Sequence, residues 1–126
     1  MEKPVSLVAR TQQEILDQVV MHLRRQQRRA SGHQRCMYHA SNGDMCAIGC
    51  LIDKEDYDAT YEGLSLSRLI DRMPFFHPLR RLLLRHFSLL KKLQWVHDEL
   101  DPRSWEAAFA RVAGDHKLTL PPRDAP

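Results

Sequence analysis

The stretch from Pro78 to Leu100 constrains this chain most. It carries Leu79, Leu82, Leu83, Phe87, Leu89, Leu90, Leu93, Val96 and Leu100. At about 100° per residue these side chains cover roughly half of a helical circumference, the width of a core helix rather than a surface one. Pro78 suits a first helical position, where its missing amide would have had no partner. The spacing predicts one long helix over 78–100 on which the rest must pack.

Shorter periodic segments surround it. Thr11-Gln12-Gln13-Glu14 has capping-box spacing, and Ile15, Leu16, Val19, Val20 and Leu23 follow as one apolar stripe. This predicts a helix to about Arg29, ended by Gly32. Leu66, Leu69, Ile70 and Met73 mark a short helix stopped by Pro74. Asp101-Pro102 restarts the chain, Trp105, Ala108, Phe109 and Val112 form the next stripe, and Gly114 closes it. At 126 residues the chain is long enough to bury a core without staples. The expected fold is mainly α: a single-domain helical bundle over 1–126 of about five helices, with at most one small β-hairpin near residues 36–46. Residues 1–10 and 119–126 are expected to be flexible.

The charge is uneven. Arg24, Arg25, Arg28, Arg29 and Arg35 fall between His22 and Arg35 with no acid; Arg72, Arg80, Arg81, Arg85, Lys91 and Lys92 form a second acid-free run. Between them lie Asp53, Glu55, Asp56, Asp58 and Glu62, in a segment without usable periodicity that reads as a loop. Such separation suits a nucleic-acid footprint, or equally basic helices facing an acidic loop or water. No aromatic is read as interleaved with the arginines, so base stacking is not expected. No apolar run approaches the ~20 residues that span a bilayer, so no membrane partner is expected. The N-terminus lacks a secretory pattern, and three cysteines do not resemble a disulfide framework; both point to a reduced, cytoplasmic setting.

All three cysteines lie in Arg35–Ile52, "RCMYHASNGDMCAIGCLI". Cys36-x2-His39 and Cys46-x3-Cys50 supply four ligand types that a structural zinc site needs. Alternatively, Cys46 is a nucleophile with His39 or His97 as base. A two-residue Asn42-Gly43 hairpin would set His39 across from Cys46, whereas a three-residue loop would put Tyr38 there. If Asp44 instead caps a helix over 45–52, Cys46 falls in its first turn, where amide dipoles lower a thiol pKa. The plainest reading is packing: small Ala47, Gly49 and Cys50 let that helix sit close against the long one. His86, Gln94 and His97 fall in the apolar arc of the long helix and must find partners, with the acidic loop the expected one. Neighbouring helical residues point ~100° apart, so Asp98 is not expected to orient His97.

One ordered pattern runs through these segments: Cys36-x-Tyr38, Gly43-x-x-Cys46-Ala47-Ile48-Gly49-x-Leu51-Ile52, Tyr57, Glu62-Gly63, Leu93-Gln94-x-x-His97-Asp98 and Trp105. It resembles a group of small uncharacterised proteins encoded by bacteriophages, prophages and their hosts. In such proteins the Cys50 position is often small or apolar, which weighs against four-ligand zinc. The resemblance implies a mobile-element accessory role and supplies no reaction. The arginine-rich first helix lies outside the pattern, and Arg24, Arg25, Arg28 and Arg29 are the expected partner-binding residues. The leading expectation is non-enzymatic binding to a host or defence-system macromolecule, with no catalytic residue, metal or cofactor assigned. The partner would be a protein or a nucleoprotein complex, with direct nucleic-acid contact also open. The alternatives are a thiol enzyme using Cys46 and a zinc module using Cys36, His39, Cys46 and Cys50.

Overall fold

Side chains that take up the first amides set where the helices begin. Thr11 and Glu14 form both halves of the capping box, with Glu14 N donating to Thr11 Oγ1 at 3.1 Å and Thr11 N to Glu14 Oε1 at 2.8 Å. Such a cap stabilises a helix by about 1 kcal/mol. The structure, a computed structural model, describes residues 10–31 and 36–123. Among these, five α-helices form: α1 Gln12–Gln26, α2 Leu66–Arg72, α3 Pro78–Arg85, α4 Phe87–Glu99 and α5 Trp105–Asp115. There is no sheet, and the only strand pairing among the described residues is one antiparallel bridge, His39 with Met45. The mainly α, single-domain expectation holds, though two of the five helices differ from those the periodicity predicts.

The long helix over 78–100 is two helices. His86, at φ −107° and ψ 24°, leaves helical geometry between α3 and α4. Its imidazole is buried and its Nε2–H donates to the Arg10 carbonyl at 2.9 Å. Hydrogen bonds from His86 N to Leu82 O and from Leu90 N to His86 O continue across the joint, so the two helices stay connected. Leu79, Leu82 and Leu83 of α3 and Leu89, Leu90, Leu93 and Val96 of α4 are all buried. α1 and α5 both pack on α4, and Leu16, Leu23 and Phe109 close the core.

The helix expected over 45–52 is absent. Only a 3-10 turn, Gly49–Leu51, forms there: the Asp44 carbonyl that would accept the first helical bond takes Ala40 N instead, and the Ile48 amide that would supply it turns to Gln94. Met45 N donates to Gln26 Oε1 at 2.8 Å and Ile48 N to Gln94 Oε1 at 3.1 Å. The Asn42-Gly43 turn does form, with Gly43 at φ 94° and Ala40 N bonded to Asp44 O. The His39–Met45 bridge is the three-residue-loop register, which sets Tyr38, not His39, against Cys46. The close approach at Gly49 is to a loop rather than to a helix: a Cβ there would lie 1.9 Å from the Tyr38 carbonyl oxygen.

Two helix ends also move. α1 stops three residues before Arg29, with Gln27 in the left-handed region at φ 63° and bonded to Leu23 O; Gly32 lies outside the described residues. Gly114 is inside α5, and the chain reverses at Lys117, φ 57°, with Leu118 N bonded to Ala113 O. Beyond it, Thr119 and the Gln13 side chain exchange hydrogen bonds of 2.9 and 2.7 Å.

Candidate functional site

Around the C-terminal half of α4 the chain builds a polar network beside a cleft of about 740 Å³. Arg29, Cys36, Tyr38, Gln94 and Asp98 are among its walls. The Cys36 thiol, a His97 ring nitrogen and an Asp98 carboxylate oxygen lie within 4.8 Å of one another. His97 Nδ1 donates to Asp98 Oδ1 at 2.8 Å, so the expected separation of these neighbours is corrected. Nδ1 sits close to the helix backbone, within reach of a short carboxylate even when the Cα–Cβ bonds diverge. His97 Nε2 accepts from Ala30 N at 3.0 Å. A peptide amide can only donate, so the proton of the neutral ring is on Nδ1 and both nitrogens are engaged.

That tautomer decides what the cluster can do. Binding a metal through Nδ1 would need the proton on Nε2, pointing at the Ala30 amide. Binding through Nε2 would displace that amide from its acceptor. Cys36 and Asp98 alone are a thin ligand set. The thiol itself donates to Asp98: burial raises this carboxyl, and hydrogen bonds from His97 and Cys36 outweigh it, holding the group below its usual range. Gln94 Nε2 completes the set, donating to Asp98 Oδ1 at 2.9 Å. Gln94 and His97 therefore pin the 45–48 turn and the chain after α1, not the acidic loop.

The acidic loop is held elsewhere. Glu62 accepts from Tyr38 N at 2.8 Å, His39 N at 3.0 Å and the Tyr57 hydroxyl, and the Tyr57 ring stacks on His39 at 4.3 Å. The zinc candidates do not converge: among the described residues Cys36, His39, Cys46 and Cys50 form no common cluster. His39 Nε2 donates to Gly49 O at 2.9 Å, and the Cys50 thiol to Ala47 O. Burial pushes the Cys50 thiol up to about 12, and raises that of fully enclosed Cys46 further. Neither is poised as a nucleophile at neutral pH.

The four arginines of the first helix diverge. Arg24 grips Glu106 with Nε and Nη2 at 2.8 and 2.9 Å and is 12% exposed. Arg28 pairs with Asp44. Arg29 donates to His97 O at 3.1 Å and Leu100 O at 2.8 Å, capping the negative end of α4. Arg25 is exposed. Three of the four thus tie segments of this molecule together, leaving Arg25 and the outer face of Arg28 to solvent.

A different surface presents cations with aromatic rings. His77 N bonds to Pro74 O, closing a turn between α2 and α3 whose two central residues are Phe75 and Phe76. They are 68% and 84% exposed. The expectation that no aromatic interleaves the arginines is therefore corrected: this pair stands between Arg72 and Arg80. The signal was present, since an apolar pair confined between Pro74 and Pro78 cannot join either helix's buried stripe.

Comparisons with protein-family models, curated proteins and solved structures return no match for this chain. The site's reading therefore rests on its own geometry.

Proposed function

We propose that this chain is a phage- or prophage-type accessory protein that binds a host or defence-system macromolecule without transforming it. The mobile-element part rests on the ordered residues from Cys36 to Trp105 described above. The binding part rests on one observation, the separation of charge. Leu66–Lys92 holds seven Lys and Arg against Asp71 alone, so the remainder of the chain, twelve against fifteen, is net negative. A surface of one sign on a body of the other orients approach and favours a partner of opposite charge. Supporting this, the thiols and imidazoles that the rival readings need are engaged in holding the fold.

The test is retention from bacterial host extract on immobilised protein, at two salt concentrations and with and without nuclease. The reading expects a defined species held at low salt and released at high salt. Retention identical to a blank column, together with turnover of a small substrate by the purified protein, would refute it. No helix among the described residues is long and apolar enough to cross a membrane.

A further inference from the structure

We propose that the α2–α3 turn and the solvent faces of its two helices bind single-stranded nucleic acid, with Phe75 and Phe76 as stacking platforms and the surrounding arginines at phosphates. This rests on the binding reading above and names its partner class and its site.

The rings are held ready. Pro74 and Pro78 bracket the turn, the Pro74–His77 hydrogen bond closes it at 3.0 Å, and His77 caps α3 by accepting from Leu79 N. His77 also meets Asp56 at 3.1 Å, fastening the turn to the acidic loop. The two phenyl rings meet edge to face, centroids 4.9 Å apart at 84°. Arg80 bonds Ile70 O at the end of α2 and sets its guanidinium over the Phe75 ring, 5.1 Å from the centroid. Fixing two rings in advance removes ordering cost from the bound state. Two adjacent large apolar rings left in water together form a patch of the kind that marks an interaction surface rather than a single stray exposed residue.

The cations supply the other half. Arg68, Arg72, Arg81 and Arg85 are exposed on α2 and α3, and Arg68 and Arg81 make no ion pair among the described residues. α3 buries Leu79, Leu82 and Leu83 and turns Arg81, Leu84 and Arg85 outward. A partner matching exposed phenyl rings set among guanidinium groups carries regularly spaced anions and unstacked rings, which is single-stranded nucleic acid. A duplex offers the phosphates but keeps its bases stacked, so the phenyl rings would gain little. A second copy of this chain would bring like charges together in a self-complementary contact.

The test is fluorescence anisotropy with a labelled 15-nucleotide oligothymidylate and a uridine RNA of equal length, at 50 and 200 mM NaCl. An unlabelled duplex and phosphatidylglycerol vesicles serve as competitors. Single strands should bind more tightly than duplex, and more weakly at the higher salt. Phe76→Ala should weaken binding about tenfold with unchanged thermal stability, and Arg81→Ala should lower the log–log salt slope by about 0.7. No binding at 50 mM NaCl, tighter duplex binding, indifference to Phe76→Ala, or displacement by vesicles would each overturn the proposal. If the oligonucleotides fail while the host-extract species persists and is lost with Phe76→Ala, the nucleic-acid assignment falls and the binding reading stands. If that species is absent as well, both fall.

Discussion

Replacing Gly49 with Ala places a methyl group where the Tyr38 carbonyl already is. The new Cβ would lie 1.9 Å from that oxygen, 2.6 Å from its carbon and 2.9 Å from Cα, whereas ordinary contact begins at 3.4 Å. The Tyr38 backbone must therefore retreat by about 1.5 Å, the difference between 3.4 and 1.9 Å, in an interior that yields little. That movement breaks the bonds from Tyr38 N and His39 N to Glu62, now 2.8 and 3.0 Å. Bonds to a charged acceptor contribute roughly 1.5–3 kcal/mol each, so Gly49→Ala should cost about 3–6 kcal/mol. Single domains have about 5–15 kcal/mol in total, so the variant should be close to unfolding. Gly114 is the control. It lies inside α5 without positive φ, and an added Cβ meets nothing within 4 Å. There Ala should stabilise by roughly 0.5–1 kcal/mol, through helix propensity alone. Urea unfolding followed by circular dichroism reads both changes. A Gly49→Ala protein within about 1 kcal/mol of the parent, or equal losses at both positions, would refute the reasoning.

Acidification should destabilise the fold through His86 and His22. Burial is the main cause lowering both imidazoles below the ordinary 6.5. The unfolded chain then binds more protons as pH falls through 6.5, so stability is full above that value and declines below it. His86→Gln, which can still donate to the Arg10 carbonyl, should flatten the slope of stability between pH 7.5 and 5; an unchanged slope would remove His86 from the account. Iodoacetamide at neutral pH should label half-buried Cys36 first and enclosed Cys46 last, read by mass spectrometry of peptides. Rapid native-state labelling at Cys46 would contradict its burial. Arg29→Ala should cost about 1–3 kcal/mol through the lost α4 cap, while Arg25→Ala stays within about 0.5 kcal/mol. Equal effects would show that the two side chains are not divided between fold and surface.

Much of the frame was legible locally. The capping box at Thr11, the stripe from Ile15 to Leu23, the short helix before Pro74 and the Asn42-Gly43 turn each depend on residues within a few positions of one another. Three departures from the local pattern share one cause, a partner distant in the chain. Periodicity could not see that His86 would turn to the Arg10 carbonyl, 76 positions away, where the predicted long helix is interrupted. Nor could it see that Gln94, 46 positions on, would take the Ile48 amide that a helix over 45–52 needed for its first bond. The arginines of α1 looked alike because their partners, Glu106, Asp44 and the α4 carbonyls, are brought near only by the packing of α1 on α4. The exposed phenyl pair, by contrast, has a local signature, since Pro74 and Pro78 bracket it.

By itself the sequence determined the helical class, the apolar stripes and the separation of charge, because these follow from side-chain spacing and composition. Tertiary structure alone decided which polar groups are engaged. His97 shows why: its tautomer depends on the Ala30 amide, 67 positions away in the chain and 3.0 Å away in space. A hydrogen bond across that separation has no local signature, yet it fixes which ring nitrogen carries the proton and so which could face a metal.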